Sequence, residues 1–549
     1  MPLNSKRVLE IGCGDGSLGK AYKLRNPGVL YFGVELDVPS ADAASKCLDG
    51  VWQGDVEKSK NFSFADQRFD CIIYGDVLEH LKEPWDCLNL HASMLSDNGV
   101  MLACIPNVQH WSTFINLFKG DWPRASHGLF DRTHLRWFTR KSIISMFTEL
   151  GLSIYEIYPR VFAPEKAKAL LSILKPSLME MQIREDEFLK QISPLQYVVR
   201  AGKRDIRPLS IHGLSNINPP SMATVRLGIP FQALHSISGV SCNLSSDQFT
   251  ISSSKSSDKV LIWQRPIFND EPSSYKKIKA LIDYGYLLIV EYDDDPSRHP
   301  MHMQSDFLTF RMSHAVQVST PELAEQIKIY NPMVEVFPNN ILTLHPKRNR
   351  DVSNGLKIFF GALNREQDWL PYMPALNEVL VNDPEFWSFS VVHDHEFYKQ
   401  LQLPECRKSF IQLCNYDVYL QEMAACDIAF MPLRDTEFNR KKSDLKAVEA
   451  ASLGLIPLAS EVVYGNSFVN HHTSALFSSP EELIHILGAW RQNPQIALGI
   501  SQRARDFVGN SRLQCHQVAR REAWYRELCG RRDELNYALC KRVPKLKGI

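Results

Sequence analysis

The chain is predicted to be an α/β protein built on parallel, doubly wound sheets. Strand-like and helix-like segments alternate along most of its 549 residues, the first strand runs straight into a glycine-rich turn, and a second alternating series follows the first. A parallel strand needs a crossover before its neighbour, and a helix is the usual crossover.

In the first segment RVLEIG, LYFGVEL, FDCIIYG and GVMLACIP read as strands, the last preceded by the turn signal SDNG. SADAASKCL and EPWDCLNLHASML are helical between them. PEKAKALLSILKPSLMEMQIREDEFLKQIS reads as helix broken at Pro176, and KRDIRPLSIHGLSNINPP as loop, so residues 164–222 are expected to be a helical connector and linker. From Ala223 a second α/β region carries the strands VLIWQRP, YLLIVEYDDD, AVQVST and VEVFPNN, with SYKKIKALIDYG and PELAEQIKIY as helices. A third begins at LKIFFGALN and runs through WSFSVVHD, CDIAFMPL and LIPLAS to a helical tail. The expected divisions are 1–163, 164–222, 223–345 and 346–549.

Bulk properties narrow the function classes. Lys+Arg and Asp+Glu number 62 each, so no net field draws the chain to nucleic acid or anionic lipid. No apolar run approaches the ~18–20 residues of a membrane span. The opening MPLNSKRVLEIGCGDG has no secretory apolar region, and the twelve scattered cysteines lack metal or disulfide spacing. A cytoplasmic protein with reduced thiols is expected. The basic end KRVPKLKGI reads as a solvated tail, with a weak membrane-surface contact as the alternative.

Chemistry concentrates first around VLEIGCGDG. Gly12 and Gly14 allow a sharp bend and close ligand approach directly after a strand, with Glu10 at that strand's end. Glu35 closes the second strand, where an acid can grip ribose hydroxyls. Asp55 lies in QGDVE, and Asp76, Val77, Glu79 and His80 follow the third strand in FDCIIYGDVLEHL. Together these resemble the class I S-adenosylmethionine-dependent methyltransferases, as does the later DRTHLRWFTRKSI. A dinucleotide-binding domain fits less well, because Ser17 stands where the third glycine of its motif would be. The resemblance implies a Rossmann-like methyltransferase domain with Glu10, Gly12, Gly14, Glu35, Asp55 and Asp76 holding S-adenosylmethionine. A hydroxyl acceptor benefits from a base, and His110 in IPNVQHW and His134 in DRTHLRWF are the candidates. His80 reads as structural.

The second informative stretch is FNRKKSDLKAVEAASLGLIPLAS. Ser443 is expected to cap a helix, Lys442 and Lys446 to meet phosphate at its start, and Glu449 to share a face with Lys446 and hold sugar hydroxyls. KSDLKAVEAASLG and FFGALNREQDW resemble the donor half of GT-B glycosyltransferases of bacterial surface-polysaccharide assembly, where Gly361 would allow close approach and Arg365 would meet phosphate. The resemblance implies two Rossmann-like units, an acceptor half at 223–345 and a nucleotide-sugar half at 346–549, with Glu449 catalytic. Lys441 stands where the first glutamate of that family's pair is expected. Asp293–Asp295 ends a strand, where a contact to the acceptor, a base and a structural role stay open; the GT-B layout that it resembles normally works without metal, so no metal site is expected.

The implied protein is a bifunctional enzyme of glycan biosynthesis, methylating a sugar hydroxyl and transferring a sugar from a nucleotide donor. Its partners would be small molecules and saccharides, lipid-linked ones among them, and not nucleic acid. The alternative is a methyltransferase whose second part only binds glycan.

Overall fold

Seven strands form the sheet of the first unit: β1 (Arg7–Ile11), β2 (Leu30–Glu35), β3 (Gly50–Gln53), β4 (Phe69–Gly75), β5 (Leu95–Pro106), β6 (Ser153–Val161) and β7 (Pro194–Gly202). Their order is β3-β2-β1-β4-β5-β7-β6. The computed structural model describes every residue except 59–62, 65, 217–220, 247, 347–351, 353–354 and 548–549. β1 lies near the middle with Val8, Leu9 and Ile11 all buried, as a strand covered on both faces requires. β1 through β5 are parallel, and the order reverses between β2-β1 and β4-β5, which leaves a crevice at their carboxyl ends.

β7 corrects the expected connector. It runs antiparallel to both neighbours, with Gly202 opposite Val100 on β5 and Ser153 on β6. Tyr197, Val199 and Ala201 alternate into the core, a two-residue period inside the stretch expected to be helix and linker. The helix Pro164–Glu180 continues through Pro176 and does not break there. With Glu185–Ile192 it builds a small core from Leu170, Leu178, Phe188 and Ile192. The first unit therefore extends to Arg207, apart from residues 24–27, and takes in 236–239.

The second unit contains two sheets. One holds β8 (Leu209–Ser215), β9 (Val240–Ser245), β10 (Asp258–Gln264), β11 (Tyr286–Tyr292), β12 (Ala315–Val318) and β13 (Val334–Val336), in the order β13-β12-β11-β10-β8-β9. It begins at Leu209, earlier than the expected 223. The other holds β14 (Leu356–Gly361), β15 (Trp387–Val392), β16 (Lys408–Ile411), β17 (Ile428–Met431), β18 (Ile456–Ser460) and β19 (Ala475–Phe477), in the order β16-β15-β14-β17-β18-β19. All their pairings are parallel.

The last helices, Val518–Gly530 and Arg532–Arg542, pack on the earlier sheet of this unit and not on the one that precedes them in sequence. The Tyr525 hydroxyl donates to Gln317 Oε1 at 2.7 Å, and Leu539, Val543 and Leu546 join a core with Leu214 and Leu288. Lys545 pairs with Asp270 at 2.6 Å. The backbone of the tail is thus anchored through Leu546, while the Lys545 and Lys547 side chains stay exposed to solvent. Beneath the same sheet Arg226 Nε meets Glu291 Oε1 at 2.6 Å, both side chains essentially excluded from water. The guanidinium also donates to Phe337 O at 2.8 Å and Asn339 Oδ1 at 2.7 Å. None of the twelve cysteines is paired with another.

Candidate functional site

In the first unit the crevice is built at the ends of β1, β2 and β4, where Ile11 lies beside Val34 and Tyr74. The two glycines of the turn do different work. Gly12 has φ +72°, and a Cβ there would lie 2.5 Å from Val77 Cγ2, so Gly12 lets the turn press against the segment after β4. Gly14 has φ +54°, and a Cβ there would meet nothing within 4 Å. That open side is where a ligand can approach backbone.

Glu35 is held by three amides: Gly14 N–H donates to Oε2 at 2.8 Å, and Leu36 and Asp37 N–H donate to Oε1 at 2.9 and 3.0 Å. Its carboxylate is thereby fixed against the turn. Glu10 lies deeper, 4% exposed, accepting from the Tyr31 hydroxyl at 2.9 Å. Burial pushes its carboxyl up to about 7, and the Glu35 and Asp15 charges add to that. The structure thus places Glu10 behind the turn rather than in the open crevice. Asp55 follows β3, its carboxylate paired with Lys58 at 2.9 Å and held below the usual range by that lysine. Asp76 takes a left-handed backbone, φ 54°, at the end of β4 and accepts from Gln196 Nε2 at 2.7 Å, a link from β7 to the crevice.

His110 and His134 differ. His110 is 5% exposed, its Nδ1 shared with Ser112 Oγ at 2.8 Å, and burial drives its pKa down to about 4. An imidazole so reluctant to accept a proton is a poor base near neutrality. His134 is half-buried, with Nδ1 donating to Leu129 O at 3.1 Å and Nε2 lying 3.9 Å from Glu79 Oε1. Burial also pushes the Glu79 carboxyl up, to about 8. His80 stands beside His134 with ring centroids 4.8 Å apart.

In the second unit the carboxyl ends of strands from both sheets line one cleft of about 360 Å³. Arg265 and Asp293 come from the first sheet's loops, Gly361 follows from β14, and Lys442, Ser443 and Lys446 come from the start of the helix Leu445–Ser452. Arg365 and Asp294 line this cleft and a neighbouring lobe of about 500 Å³. Arg365 Nη1 donates to Asp368 Oδ2 at 3.2 Å and Asn439 Oδ1 at 3.3 Å. Lys446 donates to Gly361 O at 2.7 Å. Burial first, and then the neighbouring Arg365 charge, lower Lys442 and Lys446 to about 8 each. Three cations crowded together, Arg365 paired with Asp368 and the two lysines still lowered, favour an anion.

Several expectations are corrected here. Ser443 does not cap its helix: its Oγ accepts from Asn339 Nδ2 at 2.8 Å, and Asp444 occupies the cap position, engaged by Arg512. Glu449 is 3% exposed and is not among the residues lining the cleft or its lobe. It accepts from the Tyr416 hydroxyl, one turn beneath Lys446. The aspartate triplet is dispersed, Asp293 to Arg265 at 2.6 Å and Asp295 to Lys441 at 2.9 Å. Burial opposes ionisation of Asp295, yet hydrogen bonds from Ser297, Gln326 and Lys441 hold it at about 2. Lys441, in the position expected for a glutamate, therefore ties the two sheets of this unit together.

Burial raises Glu449 to about 7, outweighing the opposing Tyr416 and Lys446. In the folded chain it stays protonated where the unfolded chain, with the ordinary value of 4.5, has already ionised. Its contribution is present below pH 4.5 and is lost as pH rises through 7. Glu449→Gln should therefore gain on the wild type by on the order of 3 kcal/mol across that window. Denaturant melts of both proteins at several pH values check this, and parallel pH profiles would contradict it.

The strand order, the antiparallel β7 and the glycine turn facing Glu35 together make up a methyltransferase frame, and a family model described as a methyltransferase domain matches residues 2–157. Residues 2–157 are a methyltransferase domain. A ubiquinone biosynthesis O-methyltransferase from Histophilus somni is 28% identical over 109 residues, 18% of this chain and 44% of that protein. The chain thus spans less than half the length of that curated relative. A solved S-adenosylmethionine-dependent methyltransferase from Archaeoglobus fulgidus is 19% identical, with TM-score 0.26, covering 36% of this chain and 85% of its own. Beyond the methyltransferase domain, two parallel α/β sheets with carboxyl-terminal helices returning to the first give the GT-B layout. Anabaena HepE, solved in complex with UDP and glucose, is 14% identical, with TM-score 0.40, covering 58% of this chain and 98% of its own. Among the described residues no helix is long and apolar enough to cross a membrane.

Proposed function

We propose that the first unit transfers a methyl group from S-adenosylmethionine to a hydroxyl, and that the second binds a nucleotide-sugar and transfers its glycosyl group. The observation that carries the first part is the open side of Gly14 beside a Glu35 carboxylate fixed by three amides. Gly12 and Gly14 shape the backbone against the adenosyl group, Glu35 takes ribose hydroxyls, and Asp55 and Asp76 flank the ligand. Glu10 supports the turn from behind. When bound, S-adenosylmethionine supplies an electrophilic methyl. The chain's task is to align an acceptor oxygen in line with the departing sulfur and to handle its proton. His134 is the better placed of the two imidazoles for that. Calorimetric titration with S-adenosylmethionine tests the reading: absence of heat, together with no competition by S-adenosylhomocysteine, would sink it.

For the second unit the supporting observation is the cluster of Arg365, Lys442 and Lys446 around Gly361, which suits a diphosphate. Glu449 braces the site through Tyr416. A glycan acceptor shared by two tethered sites stays at high effective concentration, which gives fusion of the two activities a physical purpose. Arg365→Ala should weaken nucleotide-sugar binding by about 1.5–3 kcal/mol, roughly 10- to 150-fold, while leaving acceptor affinity alone. Equal losses for donor and acceptor would remove the phosphate role. A thermal-shift screen of nucleotide-sugars, which raise stability in proportion to saturation, identifies the donor.

A further inference from the structure

We propose that Glu79, His80 and His134 form a binding site for a divalent transition-metal cation, which gathers the acceptor's hydroxyl group beside the methyltransferase crevice. One ligand atom from each residue lies within 4.8 Å of the other two. Metal–ligand bonds of about 2.0–2.2 Å put adjacent ligands roughly 3 Å and opposed ligands roughly 4 Å apart, so the three already stand near a coordinating arrangement.

The hydrogen bonding around the site supports this independently. His134 spends its Nδ1 hydrogen on Leu129 O at 3.1 Å, leaving the Nε2 lone pair free. His80 Nδ1 contacts Thr133 O at 3.3 Å and Thr133 Oγ1 at 3.0 Å. That hydroxyl gives its own hydrogen to Asp131 Oδ1 at 2.6 Å, so His80 Nδ1 is the donor and its Nε2 is also left as a lone pair. Both rings are thus turned by carbonyl or hydroxyl partners in the manner of metal-binding imidazoles. Glu79 is 1% exposed, and its Oε2 has no hydrogen-bond partner. A buried carboxyl oxygen without a hydrogen-bond partner, on a side chain grouped with two imidazoles, is an arrangement that a bound cation would satisfy. The main chain holds the two segments in place, with Leu135 and Arg136 N–H both donating to Glu79 O at 2.7 and 3.0 Å.

Two imidazoles and one carboxylate suit Zn²⁺, Mn²⁺, Fe²⁺ or Co²⁺ better than Mg²⁺ or Ca²⁺, and three protein ligands leave positions open for substrate oxygen. Val77, two residues before Glu79, touches the space over Gly12, so the site begins against the cofactor turn. This assignment rests on the methyltransferase reading and makes His134 a ligand in place of a free base. A coordinated hydroxyl is more acidic and releases its proton to water. The oxygen lone pair then forms the new C–O bond as the methyl–sulfur bond breaks, and S-adenosylhomocysteine leaves as a neutral thioether.

The test uses the full chain stripped with a chelator and then titrated with Co²⁺, followed by visible absorption, and with Zn²⁺ by calorimetry. One Co²⁺ per chain is expected at this site, with binding weakened on the order of 100-fold in both Glu79→Gln and His80→Ala. His80 is only partly buried, so its alanine variant should remain folded, and S-adenosylmethionine titration of that variant should match the wild type. Equal Co²⁺ binding by wild type and both variants, or none by the wild type, overturns the assignment. Loss of S-adenosylmethionine binding by the wild type would instead overturn the methyltransferase reading, and the Co²⁺ titration would still report separately.

Discussion

Gly14→Leu should abolish measurable S-adenosylmethionine binding, a loss of at least roughly 100-fold, while lowering the thermal midpoint by only a few degrees. The side chain would project into the open side of the turn, where nothing lies within 4 Å, and so would occupy ligand space rather than protein space. Its backbone penalty is that of a non-glycine residue at φ +54°, about 1–2 kcal/mol, which a domain of this size registers as a few degrees. Gly12→Ala should behave in the opposite way. Its Cβ would meet Val77 Cγ2 at 2.5 Å, so stability suffers first, and Val77→Ala in the same chain should restore much of it. Val77→Ala should do nothing for Gly14→Leu. Calorimetry and thermal melts on the four proteins separate these outcomes, and rescue of both glycine variants would show that the two positions act alike.

The second large effect is on stability. Arg226→Met leaves Glu291 buried with its cationic partner gone, and breaking such a pair from one side costs about 3–5 kcal/mol. The loss is compounded because Phe337 O and Asn339 Oδ1 give up their donors as well. Arg226→Met combined with Glu291→Gln should recover part of it, since Gln317 can still donate to the residue at 291. The denaturant midpoint of the second unit is the readout, and a shift under 1 kcal/mol in the single variant would mean that water reaches the pair.

How much of this was legible in the sequence depends on how local each feature is. VLEIGCGDG announces a strand and a ligand-facing bend because both are encoded within a few residues. The same holds for Glu35 at the end of β2 and for the crowding of Lys442 and Lys446. β7 was missed because its partners lie about a hundred residues upstream on β5 and some forty upstream on β6. Its alternation in PLQYVVRAG was present but followed a strong helical pattern. Pro176 was read as a break, although a proline is tolerated within a helix when its surroundings make good the lost bond. The grouping of Glu79, His80 and His134 was hidden because His134 is 54 residues from His80, and long-range hydrogen bonds, from Leu135 and Arg136 N–H to Glu79 O and between His80 and Thr133, bring them together. Glu449 shares a helix with Lys446 as expected, but which way a carboxylate turns depends on Tyr416, which belongs to a different helix.

The place of β7 decides where the chain can be divided. A fragment ending at residue 163 would strip β5 and β6 of the strand between them and leave the apolar stretch Val100–Pro106 of β5 with one row of amides and carbonyls unmatched. Such a rim recruits other chains, so that fragment should precipitate. Cutting after Arg207 keeps the rim closed, and with it the Gln196 side chain that reaches Asp76.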